Sequence, residues 1–253
     1  MLSDDHWLSS TRVATHDFLD TSESAETVRR VNGLRGRWTR RSDGYFTLGA
    51  VSFLDAAEAP DGYLAAAAHT NSLLSTAFDD LYSGLFGFLA SVLDEPVDYR
   101  EPLALPGFQI FEFYGEPSES RRPQDFQGLD LGEQSAAERA HFDVQFLRAA
   151  PGCTPEATVS FTLPLEQPSG GAGLAVWPLD CAEAVERNMS EADLLYFATQ
   201  NAYERVSYET GRMILHDGLM LHAAMGGGTG PRGQRITLQG HGIRHRGRWT
   251  IYW

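Results

Sequence analysis

The sequence predicts a mainly β chain, a sandwich or barrel, supported by helices at its N-terminal end. Three observations predict it. From residue 108 onward, short segments rich in β-branched and aromatic residues recur between Gly and Pro punctuation. Residues 62–94 instead repeat apolar side chains at helical spacing. No linker divides the chain, so 1–253 is expected to form a single domain, with 1–100 as helical support and 101–253 as the β core.

In chain order, residues 1–21 read as loosely ordered. Ser24-Ala25-Glu26-Thr27, leading into Val28 and Val31, starts a short helix. Residues 45–53 are rich in β-formers and read as a strand. Two helical segments follow over 62–94, with Leu73, Leu74, Phe78, Leu81, Leu85 and Leu89 near helical spacing; Asp94-Glu95-Pro96 stops them. Eight strands are then expected at 108–114, 141–147, 157–165, 172–177, 211–216, 219–224, 234–243 and 248–253. Ser190 caps a helix running into Leu194, Leu195, Phe197 and Ala198. Residues 115–140 form a polar connection ending immediately before His141, and a connection that long reads equally as a lid or as a disordered segment.

Charge narrows the classes of partner. The net charge is −14, and all 20 basic side chains are arginines. Nucleic acid and anionic membrane surfaces both need a basic face, so neither is expected as a partner. No apolar run reaches the length of a membrane span, and the acidic N-terminus does not read as a signal peptide. Cys153 and Cys181 lack metal-type spacing and a visible activating partner; both are read as inert thiols in a reducing cytoplasmic setting.

The chemistry concentrates in a few positions. On a strand, residues i and i+2 share a face, so His141 and Asp143 project together and Gln145 continues the row, beside the site or lining its pocket. A second histidine would complete the two-histidine, one-carboxylate set of a mononuclear non-haem Fe(II) site, which leaves positions open for a co-substrate and dioxygen. His216 and His222 both qualify. His222 lies 13 residues before Arg235, His216 lies 19 before it, and the shorter spacing suits two adjacent antiparallel strands. Arg235 competes with Arg232, which sits in a Gly/Pro-rich turn; Arg235 opens a strand and shares a face with Thr237. A guanidinium beside a hydroxyl suits a carboxylate, as a dicarboxylate co-substrate would require.

Other positions have plainer readings. Gln109 and Tyr114 could touch the co-substrate's carboxylate, although an ordinary structural role weighs more. Trp177 could form a pocket wall, with core packing the stronger expectation. His241 and His245, with Arg244, Arg246 and Arg248, read as a solvated basic face.

Taken together and in order, His141-Phe142-Asp143, His222 and Arg235-Ile236-Thr237 resemble the Fe(II)- and 2-oxoglutarate-dependent oxygenase superfamily. Phe161 to Glu166, with Gly170-Gly171, resembles the strand-turn-strand between its ligands, and the likeness spans residues 105–245. The resemblance implies a double-stranded β-helix, a jelly-roll or cupin-like barrel. It implies Fe(II) on His141, Asp143 and His222, 2-oxoglutarate reaching Arg235 and Thr237, and O2 as oxidant. The implied reaction oxidises an unactivated C–H bond of a small molecule, with hydroxylation first among the outcomes, releasing succinate and CO2. Halogenating relatives replace the carboxylate with a small residue, so Asp143 disfavours halogenation. Two alternatives stay open: a metal β-barrel enzyme without 2-oxoglutarate, and a non-catalytic jelly-roll binding module. Residues 115–140 and 178–204 are the expected sources of specificity, and natural-product tailoring is the expected setting.

Overall fold

A computed structural model describes residues 13–113, 136–137, 139–150, 152, 154–168, 171–226 and 233–253. Two sheets face each other, and helices cover the outside of each. Among the described residues the larger sheet has nine strands. Along its main path run β1 (Val13–Asp17), β9 (Arg212–His216), β6 (Ala157–Glu166), β11 (Gly233–Arg244), β5 (Gly107–Phe113), β3 (Tyr45–Leu48) and β2 (Thr39–Ser42). The first half of β11 pairs with β5, and its second half pairs with β12 (Trp249–Tyr252), which runs parallel to β4 (Val97–Tyr99). The smaller sheet has the order β10 (Met220–Met225), β7 (Gly173–Asp180), β8 (Glu204–Ser207). This is the jelly-roll architecture that the resemblance implied.

The period-two alternation of β11 explains how one sheet serves two environments. Ile236 and Leu238 point outward with Phe108, Ile110, Phe161, Leu163 and Leu215. They meet Leu74 and Phe78 on or next to α3 (Pro60–Ala77), and Leu81, Leu85 and Leu89 on α4 (Asp79–Leu93). Truncating one of these, for example Leu85→Ala, is expected to cost about 2–5 kcal/mol, because close-packed surroundings collapse only partly. Asp94 ends α4 in the left-handed conformation, at the stop read from Asp94-Glu95-Pro96. The inward row of β11, Arg235, Thr237, Gln239 and His241, faces the smaller sheet.

Four expectations on the elements change. The strand read over 45–53 ends at Leu48, because Gly49 turns the chain at φ +119 and Ser52 opens α2 (Ser52–Glu58). The N-terminal stretch 13–17 is a strand rather than loose chain, at the edge of the sheet among the described residues. The helix read from Ser24 is α1 (Thr21–Gly33), which starts earlier because Asp20 and Glu23 form a reciprocal capping box. The strand read over 141–147 reduces to a single bridge, His141 with His222, and residues Phe146–Ala149 form a helical turn, α5. Two further helices, α6 (Cys181–Glu186) and the Ser190-capped α7 (Glu191–Gln200), lie between β7 and β8. Among the described residues, no helix is long and apolar enough to cross a membrane.

Candidate metal centre

Backbone contacts between distant segments bring His141, Asp143 and His222 together. His141 and His222 exchange both backbone hydrogen bonds, at 2.9 and 3.0 Å, so their side chains stand side by side. The Asp143 N–H donates to the Gly218 carbonyl at 2.7 Å, which fixes the third member against the turn before β10. An irregularity in the β10–β7 register between Met220 and His222 lies at the ligand itself, where a bulge re-aims a side chain. One ligand atom from each residue falls within 4.8 Å of the others. His222 Nε2 is 3.3 Å from Asp143 Oδ2, and His141 Nε2 is 3.6 Å from Asp143 Oδ1.

The tautomers follow from the other ring nitrogens. His141 Nδ1 donates to the Arg139 carbonyl and His222 Nδ1 to the Met220 carbonyl, each at 2.8 Å. A carbonyl only accepts, so each Nδ1 carries the proton, and in the neutral ring each Nε2 presents its lone pair to the centre. Two imidazole nitrogens and a carboxylate so arranged fit Fe(II) or a similar divalent ion. Asp143 and His222 are 6% and 5% exposed. The His141 side chain is 52% exposed and marks the open side.

Electrostatics agree with a cation site. Burial pushes the Asp143 carboxyl up, but His241, His222 and His141 around it outweigh burial and hold it well below the usual carboxylate range. Burial pushes His222 down, and Asp143, only 3.3 Å away, brings it back above the ordinary histidine value.

Arg235 and Thr237 sit on the inward row of β11, both buried. Phe111 is the direct partner of Arg235 on β5, and the guanidinium lies over its ring at 4.1 Å from the centroid. Tyr45 stacks on the far side of this platform, its ring 4.6 Å from that of Phe111. Among the described residues no carboxylate pairs with Arg235, Nε has no hydrogen-bond partner, and the one contact to a protein acceptor is Nη1 to the Met225 carbonyl at 3.4 Å. Burial lowers its pKa, as expected for a desolvated cation. Gln109 is the direct partner of Thr237 and shares this face.

Similar solved structures share the fold. An N-substituted L-amino acid dioxygenase from Burkholderia ambifaria AMMD matches with a TM-score of 0.55 and 12% identity, over 96% of this chain and 86% of its own. The non-haem α-ketoglutarate-dependent carbocyclase SnoK from nogalamycin biosynthesis matches with a TM-score of 0.52 and 12% identity, over 98% of this chain and 94% of its own. The fold is that of the 2-oxoglutarate-dependent oxygenases. A third such structure, the α-ketoglutarate-dependent epimerase SnoN of the same biosynthesis, has a TM-score of 0.50 at 12% identity, over 94% of this chain and 80% of its own. No protein-family model and no curated protein matches the sequence.

Within this oxygenase fold, the remaining sequence candidates separate. Gln145 immediately precedes the helical turn α5 and donates from Nε2 to Asp143 Oδ1 at 3.1 Å, so it touches the candidate ligand directly. Trp177 does not join the site. Val176 is the residue opposite His222, so its neighbour Trp177 points to the other face of the small sheet. There it is fully buried, packs its ring 5.2 Å from that of Tyr203 with the planes tilted by 50°, and donates its indole N–H to the Ala198 carbonyl of α7. His216 is buried with its ring 4.4 Å from that of His222, and its Nδ1 lies 3.2 Å from the Asp217 carbonyl. Tyr114, Arg232 and Cys153 lie outside the described residues, as does the candidate lid 115–140 except 136–137 and 139–140. Burial and neighbouring Asp180 push the Cys181 thiol up, which fits an inert role.

His241 departs from the solvated face expected for it. It is buried, with Nδ1 3.5 Å from Asp143 Oδ2 and 3.0 Å from Ser160 Oγ. The residues after it are a surface group as expected, but an ion-paired one: Arg244 binds Glu95 and Glu156, and Arg248 binds Asp98. Ser160 escaped the sequence reading because a serine within an apolar strand resembles any other. Period two from the Arg235–Thr237 row could have found His241.

Proposed function

We propose that the protein is an Fe(II)- and 2-oxoglutarate-dependent oxygenase that hydroxylates an unactivated C–H bond of a small molecule, releasing succinate and CO2. The observation that carries this reading is the His141–Asp143–His222 cluster, with both Nδ1 atoms committed to backbone carbonyls and both Nε2 atoms turned to the carboxylate. His141, Asp143 and His222 would hold the metal on three sides and leave the rest of its coordination sphere for co-substrate and dioxygen. Fe(II) bound there supplies dioxygen activation coupled to oxidative decarboxylation of 2-oxoglutarate.

The other roles belong to the chain's own side chains. Arg235, a buried cation with no carboxylate among the described residues, takes the distal carboxylate of 2-oxoglutarate through its forked N–H groups. Phe111 supports the guanidinium from below. Thr237 adds a hydroxyl on the same face, and Gln109 stands beside it as a further polar neighbour. The buried positions of Asp143, His222 and Arg235 exclude bulk water from the co-substrate, while half-exposed His141 marks the side from which substrate approaches. Two relatives in fold act in nogalamycin biosynthesis, which supports small-molecule tailoring as the setting. The free Cys181 fits a reducing, cytoplasmic location.

An anaerobic titration of metal-free protein with Fe(II), then 2-oxoglutarate, tests the reading by visible absorption. A weak metal-to-ligand charge-transfer band that needs both additions is expected, and succinate release then becomes the readout for substrate screening. Iron binding without the band would favour an enzyme that does without 2-oxoglutarate; absence of iron binding would favour a binding module.

A further inference from the structure

Asp143 is gripped from behind by a chain of two side chains that belong to neither the metal set nor the co-substrate set. Three adjacent strands place His216, Ser160 and His241 in one inward-facing row: Ser160 on β6 is the direct partner of His216 on β9 and of His241 on β11. Ser160 Oγ lies 2.5 Å from Asp143 Oδ2 and 3.0 Å from His241 Nδ1. The protons in this chain can be assigned. Asp143 is a carboxylate and only accepts, so the single Ser160 hydroxyl proton lies between Oγ and Oδ2. The contact between Ser160 Oγ and His241 Nδ1 then needs its own proton, which must sit on Nδ1. The chain therefore runs one way, from His241 Nδ1–H to Ser160 Oγ–H to Asp143 Oδ2.

The surroundings hold this direction. The His241 ring stacks on Trp253, with centroids 5.6 Å apart and planes 18° apart, and lies 5.5 Å from the ring of Tyr252. Gly218 leaves the room the chain needs, since a Cβ there would meet Ser160 Oγ at 2.6 Å and Asp143 Cβ at 3.0 Å. Gln145 Nε2 holds the other carboxylate oxygen at 3.1 Å.

We propose that Ser160 and His241 are positioning residues that fix the Asp143 carboxylate for metal binding, by a directional hydrogen-bond chain ending on Oδ2. The inference rests on the metal reading above. Hydrogen bonds to a ligating carboxylate set its orientation, and their loss typically weakens metal binding about 10–100-fold.

The test measures Fe(II) affinity of the metal-free protein anaerobically, by competition with a chromophoric chelator, alongside the melting temperature of the same samples. Ser160→Ala is expected to weaken Fe(II) binding about 10–100-fold. His241→Leu should weaken it similarly, whereas His241→Asn, which keeps a donor near the Nδ1 position, should restore affinity to within a few-fold of the parent. The pair of His241 variants gives the answer if Ser160→Ala fails to fold, because both lose the same ring packing and differ in the donor. Parent protein that binds Fe(II) together with Ser160→Ala or His241→Leu of unchanged affinity overturns the inference while leaving the metal reading intact. Equal weakening in His241→Leu and His241→Asn also overturns it, since packing alone would then be at work. Parent protein that binds no Fe(II) overturns the metal reading and the inference with it.

Discussion

Replacing Arg235 with methionine separates what this residue does for the fold from what it does for a ligand. Arg235 is 4% exposed. Its compensation within the described protein is small: one aromatic face at 4.1 Å and one long contact at 3.4 Å. A cation over a desolvated ring is worth up to about 2 kcal/mol, whereas the effective penalty for burying an ion is several kcal/mol. Methionine has similar length and no charge to desolvate, so the co-substrate-free variant is expected to be more stable by roughly 1–3 kcal/mol. In a chain of this size that raises the melting temperature by roughly 2–12 °C. The same change removes a buried partner of the co-substrate's carboxylate, at a cost of about 2–4 kcal/mol, or roughly 30- to 1000-fold in the 2-oxoglutarate dissociation constant. Differential scanning fluorimetry without and with 2-oxoglutarate and metal reads both effects on one plate. A variant that melts lower than the parent and binds 2-oxoglutarate as tightly would refute the reasoning and make Arg235 a structural residue.

Three further predictions concern the centre. His222→Ala should abolish Fe(II) binding in an anaerobic titration while His216→Gln leaves it within a few-fold; the reverse pattern would transfer the ligand role to His216. In the metal-free protein, burial and neighbouring His222 push His216 down to about 3. The unfolded chain takes up a proton there near pH 6.5, so stability is retained above that pH and falls by up to about 1.4 kcal/mol per unit as pH drops from about 6.5 towards 3. Urea midpoints in EDTA at several pH values should show a shallower acid slope for His216→Gln; an unchanged slope counts against the assignment. Gly218→Ala would place a methyl 2.6 Å from Ser160 Oγ and 3.0 Å from Asp143 Cβ. It should cost about 1–3 kcal/mol of stability by overpacking and also loosen Fe(II) binding, and thermal melts together with metal titration check both.

The sequence was most legible where a periodic pattern and a chemical pattern coincide. The inward row of β11 follows from Arg235 and Thr237 by alternation alone, and the outward row supplied the apolar signal that marked the strand. The strands β2, β4 and β8 read Thr-Arg-Arg-Ser, Val-Asp-Tyr and Glu-Arg-Val-Ser, too short and polar to differ from loop. Their pairing comes from neighbours already in place rather than from local preference. His141 and Asp143 reach one site although no regular strand carries them. The single bridge to His222 and the Asp143 N–H bond to Gly218 do that work, and both contacts are long-range. Trp177 illustrates the opposite problem, since its face depends on a register with β10 that local sequence does not contain. Ser160 and His241 become visible as a pair only when β6 and β11 are laid side by side.

The first strand has a consequence for handling the protein. Among the described residues β1 is five residues long and forms the outer rim of the large sheet, with Val13 opposite His216 and Asp17 opposite Arg212. Behind it β9 reads Arg-Met-Ile-Leu-His, a mostly apolar strand whose outward backbone groups are satisfied by β1. A shortened protein beginning after Asp17 would present that row bare, as a template for pairing with another chain. Loss of a polar-looking leader would then surface as self-association, and size-exclusion profiles that worsen with concentration would be its first sign.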